Sequence, residues 1–180
     1  MVTSVRILGV VALILCVAAS RDANCLAQDG ASVVINELLA SNHQSVKDPQ
    51  GQYDDWIELH NPTNVPVDVG GMYLTDNADD STRWQIPTGK PSLTRIAAGG
   101  FLVIWADDDV GDTGLHAGFR LSAAGDGLYL YAADGKTLID HVEYGEQSPD
   151  VSYGRVPDGV GPWQFLGFPT PGSTNVSVYA

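Results

Sequence analysis

Four aspartates crowd into six residues at Asp107-Asp108-Asp109-Val110-Gly111-Asp112. Carboxylate oxygens at this density can surround a hard cation such as Ca2+, which takes about six to eight oxygen ligands. The run does not follow the calcium loop of helix–loop–helix proteins. Gly111 and Asp112 hold the fifth and sixth positions, the reverse of what that loop needs. Calcium at Asp107, Asp108, Asp109 and Asp112 therefore stands beside a plainer reading, a solvated turn. Asp76-Asn77-Ala78-Asp79-Asp80 is a second acidic candidate that departs from the pattern in the same way.

Two further carboxylates, Glu37 and Glu58, fall inside apolar stretches, where burying a charge without a partner is costly. Arg155 and Arg120 are the available counter-charges, since a guanidinium can hold a carboxylate through two parallel hydrogen bonds. A structural ion pair and a ligand-binding carboxylate are both open at this point. Trp56, Trp84, Trp105 and Trp163 can each bury on the order of 200 Å², which suits core packing. Trp163, within a proline-rich stretch, is the one placed to stack on a sugar ring from solvent.

Catalytic chemistry finds little support. His43, His60, His116 and His141 are scattered, without the His-Glu-x-x-His spacing of a zinc helix. No Gly-x-Ser-x-Gly elbow is present, and no glycine-rich loop joins a strand to a helix to hold phosphate. Cys16 and Cys25 lie in the first 27 residues, so the remainder has no thiol. Carboxylate pairs for glycoside hydrolysis are not singled out by any context. The expectation is a protein that is not an enzyme.

The elements that would position these residues are strands. Asp55 to His60 alternates, with Ile57 and Leu59 on one face and Trp56, Glu58 and His60 on the other. Gly127 to Tyr131 likewise sets Leu128 and Leu130 against Tyr129 and Tyr131. Further strands are predicted at Ser32–Leu39, Val67–Val69, Met72–Thr75, Trp84–Ile86, Gly100–Trp105, Phe119–Leu121 and Thr137–Tyr144. Asp134-Gly135 predicts a tight hairpin turn with positive φ at both residues, and Ala123 to Gly127 a second turn. One helical turn fits near Leu39–His43. The stretch from Pro162 to Gly172 is expected to cross one end of the fold rather than extend a sheet, because proline cannot donate to the ladder. With 20 glycines and 10 prolines spread between short runs, the pattern is that of an all-β sandwich of about eight or nine short, mostly antiparallel strands.

The chain opens on Arg6 and an apolar run, Ile7 to Ser20, too short for the ~20 residues of a membrane-spanning helix. Small residues around Cys25-Leu26-Ala27 fit a cleaved signal peptide over 1–27, followed by a short linker over 28–32. The domain is expected over 33–176, with 177–180 frayed. The product would be secreted, periplasmic or held at the cell surface, without stable membrane insertion. Losing Arg6, Arg21 and Asp22 would take the formal net charge from −13 to −14. Such a surface repels phosphate backbones, so nucleic acid is not an expected partner.

The motifs also recur as an ordered series. Val34-Ile35-Asn36-Glu37-Leu38 is followed by Asp55-Trp56-Ile57-Glu58-Leu59-His60-Asn61, Gly71 to Asp76 and Trp84-Gln85-Ile86-Pro87. Then come Gly99 to Asp107, His116 to Ser122, Asp140-His141-Val142 with Tyr144-Gly145, Ser152 to Gly159, and Pro169 to Asn175. In this order and spacing the chain resembles the lamin tail domain, in the form found in bacterial secreted and cell-surface proteins. The resemblance implies an immunoglobulin-like β-sandwich used for binding, with Glu37 and Glu58 in its defining motifs. The implied role is a binding or structural module whose partner is a protein or glycan at the cell envelope or matrix. A calcium-assisted carbohydrate or adhesion module, or an accessory to a separate exported enzyme, is the alternative.

Overall fold

The computed structural model describes residues 33–177. The leader and linker expected over 1–32, and residues 178–180, lie outside that range. Along the chain come β1 (Val34–Leu39), β2 (Trp56–His60), β3 (Val67–Asp68), β4 (Tyr73–Thr75) and β5 (Trp84–Gln85). A helical turn, α1 (Pro91–Thr94), leads into β6 (Arg95–Ile96), β7 (Phe101–Ala106) and β8 (His116–Ala117). β9 (Asp126–Tyr131), β10 (Leu138–Tyr144), β11 (Tyr153–Arg155) and β12 (Trp163–Phe165) complete the set.

One sheet has six strands in the order β12-β11-β1-β2-β7-β8, and a second has four in the order β10-β9-β4-β5. β3 and β6 form a separate pair. Neighbours run antiparallel except β7 and β8. The main core gathers Ile35, Ile57, Leu59 and Ile104 from the larger sheet with Leu74, Leu128, Leu130 and Val142 from the smaller. Each such side chain, fully withdrawn from water, contributes on the order of 2 kcal/mol. Tyr129 and Tyr131 stay partly exposed on the opposite face of β9, as the alternation predicts.

β2 is the middle of the larger sheet, and all five of its residues are buried. Its second face is therefore covered too. Trp56 pairs with Trp105 across the β2–β7 ladder, and with Leu39 they form a small second core. The β1–β2 register shifts between Ile35 and Glu37 and sets Glu37 opposite Glu58. That irregularity puts two acids side by side at the centre of a sheet.

Several local expectations are corrected. The described residues hold twelve strands rather than eight or nine, because strands of two or three residues have no visible period. Phe119–Leu121 is not a strand. Phe119 and Leu121 are buried, but only Arg120 makes a bridge, to Asp107, while His116–Ala117 pairs with β7 instead. The helical turn forms at Pro91–Thr94, where proline suits the first helical position, and not at Leu39–His43. In the β9–β10 hairpin only Gly135 has positive φ, and its N–H closes the turn on the Ala132 carbonyl. The proline-rich stretch does extend a sheet, because Trp163–Phe165 lies between its prolines and pairs with β11.

Candidate functional site

Glu37 and Glu58 have no exposed surface. The segment that follows β12 folds back over them. Thr170 donates its N–H to Glu37 Oε1 at 3.0 Å, and its Oγ1 lies 2.9 Å from Glu37 Oε2. Gly172 N–H donates to Glu58 Oε2 at 2.6 Å, and Asn36 Nδ2 to Glu58 Oε1 at 3.1 Å. Asn175 locks this cover. Its Nδ2 donates to the carbonyls of Asn36 and Arg155 at 3.2 and 3.0 Å, while its N–H reaches Asp158 Oδ1 at 3.0 Å. The approach needs Gly154, which lies opposite Glu37 on β11, since a Cβ there would come within 2.6 Å of Asn175 Nδ2. Burial raises the pKa of both acids against the pull of these donors, Glu58 to about 8.

These two carboxylates are thus held by amides and a hydroxyl, and the expected pairing with Arg155 or Arg120 is corrected. Arg155 Nη2 meets Asp140 instead, at 3.0 Å to Oδ1 and 3.2 Å to Oδ2, and its Nε donates to the Ile35 carbonyl at 3.0 Å. The guanidinium also lies 5.0 Å over the Trp163 ring, which stacks at 5.3 Å on Tyr153. Trp163 is accordingly half-buried, engaged by both neighbours. The strongly exposed apolar side chains of this edge are Phe165, Phe168 and Val160, at 48%, 77% and 78%.

The acidic run after β7 divides. Asp108, Asp109 and Asp112 are exposed, and Asp108 takes a left-handed φ of 68°. Asp107 points inward, where its Oδ2 lies 2.7 Å from His116 Nδ1, and its Oδ1 accepts the N–H of Asp109 at 3.1 Å. A carboxylate oxygen of Asp48 joins them, so that one atom from each of Asp48, Asp107 and His116 lies within 4.8 Å of the others. All three residues are buried. Burial lowers the His116 pKa, but the Asp107 bond and charge outweigh it and hold the ring above its ordinary value. A cleft of about 170 Å³, lined in part by Tyr53, Asp54, Asp55 and Arg120, opens beside Asp107. Burial pushes Asp55 there to about 6. At the second acidic stretch Asp76 pairs with Arg83 at 2.5 Å.

The site thus combines residues that sequence spacing could not join. Asp48 stands alone in Lys47-Asp48-Pro49, and His116 carried no ligand spacing to any other histidine. Asp140 was equally hidden, lying on the other sheet from the strand it braces.

Two packed layers of short, mostly antiparallel strands, with buried polar residues committed to holding the layers together, define an immunoglobulin-like β-sandwich. The lamin tail domain model matches residues 27–146, about two thirds of the chain, and the chain belongs to that family of non-catalytic immunoglobulin-like domains. The match stops short of β11, β12 and the covering segment, although these complete the six-stranded sheet and its buried acids. No curated protein and no solved structure matches significantly.

Proposed function

We propose that this chain is a non-enzymatic recognition module that works outside the cytoplasm, binding a protein of the cell envelope or matrix along its β12 edge. One observation carries the reading. β12 ends the six-stranded sheet, and Phe165, Phe168 and Val160 stand exposed on and beside it. A free strand edge offers unpaired backbone groups to an extended partner segment, and neighbouring apolar side chains supply selectivity. The apolar run at the start of the chain supports export, and the excess of acidic residues supports partners other than nucleic acid.

Glycan stacking on Trp163 has less behind it, since Arg155 and Tyr153 already occupy that ring. The test is capture of envelope proteins on immobilised protein, comparing the wild type with a Phe165→Ser/Phe168→Ser variant. A partner retained by the wild type in the presence of chelator and lost by the variant supports the reading. Equal capture by both removes it.

A further inference from the structure

We propose that Asp48, Asp107 and His116 form a binding site for one divalent transition-metal ion of the zinc type, at the opposite edge of the six-stranded sheet from β12. Asp107 follows β7, His116 begins β8, and Asp48 comes from the loop before β2. Acidic clusters are common on protein surfaces, but this one is buried and incomplete. Asp48 is 6% exposed, and its Oδ2 is shielded from solvent with no hydrogen-bond partner. A buried carboxylate oxygen without a donor is costly. A carboxylate oxygen of Asp48 lies within 4.8 Å of a ligand atom on each of Asp107 and His116.

Each member also has a polar atom bonded to the backbone around it. Asp48 Oδ1 accepts the N–H of Gln52 at 2.6 Å, and Asp107 Oδ1 accepts the N–H of Asp109. His116 Nε2 lies 3.2 Å from the Thr113 carbonyl. With Nε2–H donated to that carbonyl, Nδ1 is left to give its lone pair to a metal, the arrangement that orients histidine ligands generally. An ion there would take the place of the proton between Nδ1 and Asp107 Oδ2. Two carboxylates against one dication balance, whereas two against an imidazolium leave a negative charge. Asp54, whose Oδ2 is likewise buried without a partner, adds to that negative potential.

The donor set decides the class of ion. One imidazole nitrogen and two carboxylate oxygens are donors that zinc takes, and the fourth position of its tetrahedron would be left to water or to a partner's side chain. Calcium requires more oxygens than Asp48 and Asp107 provide, and the exposed Asp108, Asp109 and Asp112 are not gathered here. This site is distinct from the calcium cage that the acidic run alone had suggested.

The test is calorimetric titration of chelator-treated protein with Zn2+, alongside Ca2+ as a separate arm. One zinc per chain is expected, with affinity lowered at least tenfold in Asp48→Asn and in His116→Gln. So that the test does not depend on either variant folding, Co2+ is also titrated into the wild type and followed by visible absorption, whose ligand-field bands report a nitrogen- and oxygen-bound site. Displacement of those bands by zinc supports the assignment. Absence of zinc uptake, uptake unchanged in both folded variants, or uptake of calcium without zinc would each overturn it.

Discussion

Asp140 and Arg155 grip Ile35 between them. Asp140 Oδ2 accepts the Ile35 N–H at 2.9 Å, Arg155 Nε donates to the Ile35 carbonyl at 3.0 Å, and the two side chains close the ring at 3.0 Å. Asp140 belongs to the four-stranded sheet, Arg155 and Ile35 to the six-stranded one. The pair thus supplies hydrogen bonds to β1 next to its irregular register and ties the two layers at the same place.

Arg155→Met should therefore lower unfolding stability by about 2–3 kcal/mol, because it strands a shielded carboxylate and a main-chain carbonyl. Urea denaturation reads this as a lower midpoint at unchanged slope. An unshifted midpoint would show that solvent replaces the clamp without loss.

The raised pKa values of Glu37 and Glu58 make stability depend on pH in a direction opposite to that of salt-bridged acids. An acid whose folded pKa exceeds its unfolded value holds its proton more tightly when folded. Its contribution is complete below the unfolded value near 4.5 and is lost as pH climbs through about 8, the folded value for Glu58. Asp55, raised to about 6, acts in the same sense at lower pH. Glu58→Gln should cost about 1–2 kcal/mol at pH 5, where its NH2 must face one of the two donors, Gly172 N–H or the Asn36 amide. The deficit should shrink or reverse by pH 8.5. Thermal melts of both proteins at the two pH values check this, and a deficit that is constant with pH would mean that Glu58 does not titrate in the window.

Gly154→Ala should destabilise by about 2–3 kcal/mol, since the added methyl meets the Asn175 amide and the Leu166 side chain at 3.0 Å or less. Asn175→Ala removes the same amide without adding bulk. If the clash acts only through Asn175, the double variant is less impaired than the two single losses added together.

A chain ending at Gly167 loses Thr170, Gly172 and Asn175, and with them both the cover over Glu37 and Glu58 and the donors that hold them. Each hydrogen bond lost from these carboxyl groups costs about 1–3 kcal/mol, together a large part of a domain's stability. Such a chain should show no cooperative melt by circular dichroism at 37 °C. A native-like transition would mean that the sheet tolerates these acids unaided.

Much of the sandwich was legible from period-two alternation. Ile57 and Leu59 do enter the core, and so do Leu128 and Leu130. Alternation fails for β2 as a guide to exposure, because a central strand covered on both faces buries Trp56, Glu58 and His60 as well. It also fails for β8, β11 and β12, each two or three residues long and too short to display a period. The counter-charge of Arg155 was misassigned for a different reason. Glu37 and Glu58 were conspicuous in sequence, but carboxylates also accept amide hydrogens, and which donor arrives is decided by chain path. The Asp48–Asp107–His116 group shows the same limit, since three loop and strand-end residues meet only when β7 and β8 run side by side.

The cover over Glu37 and Glu58 comes from the final stretch of the described chain. Every earlier strand can be synthesised before the groups that neutralise the middle of the sheet exist. Completion of the fold is thereby made conditional on the arrival of residues 170–175, and a product cut short before them by a stalled ribosome or a protease leaves two acids of its central strands without their donors.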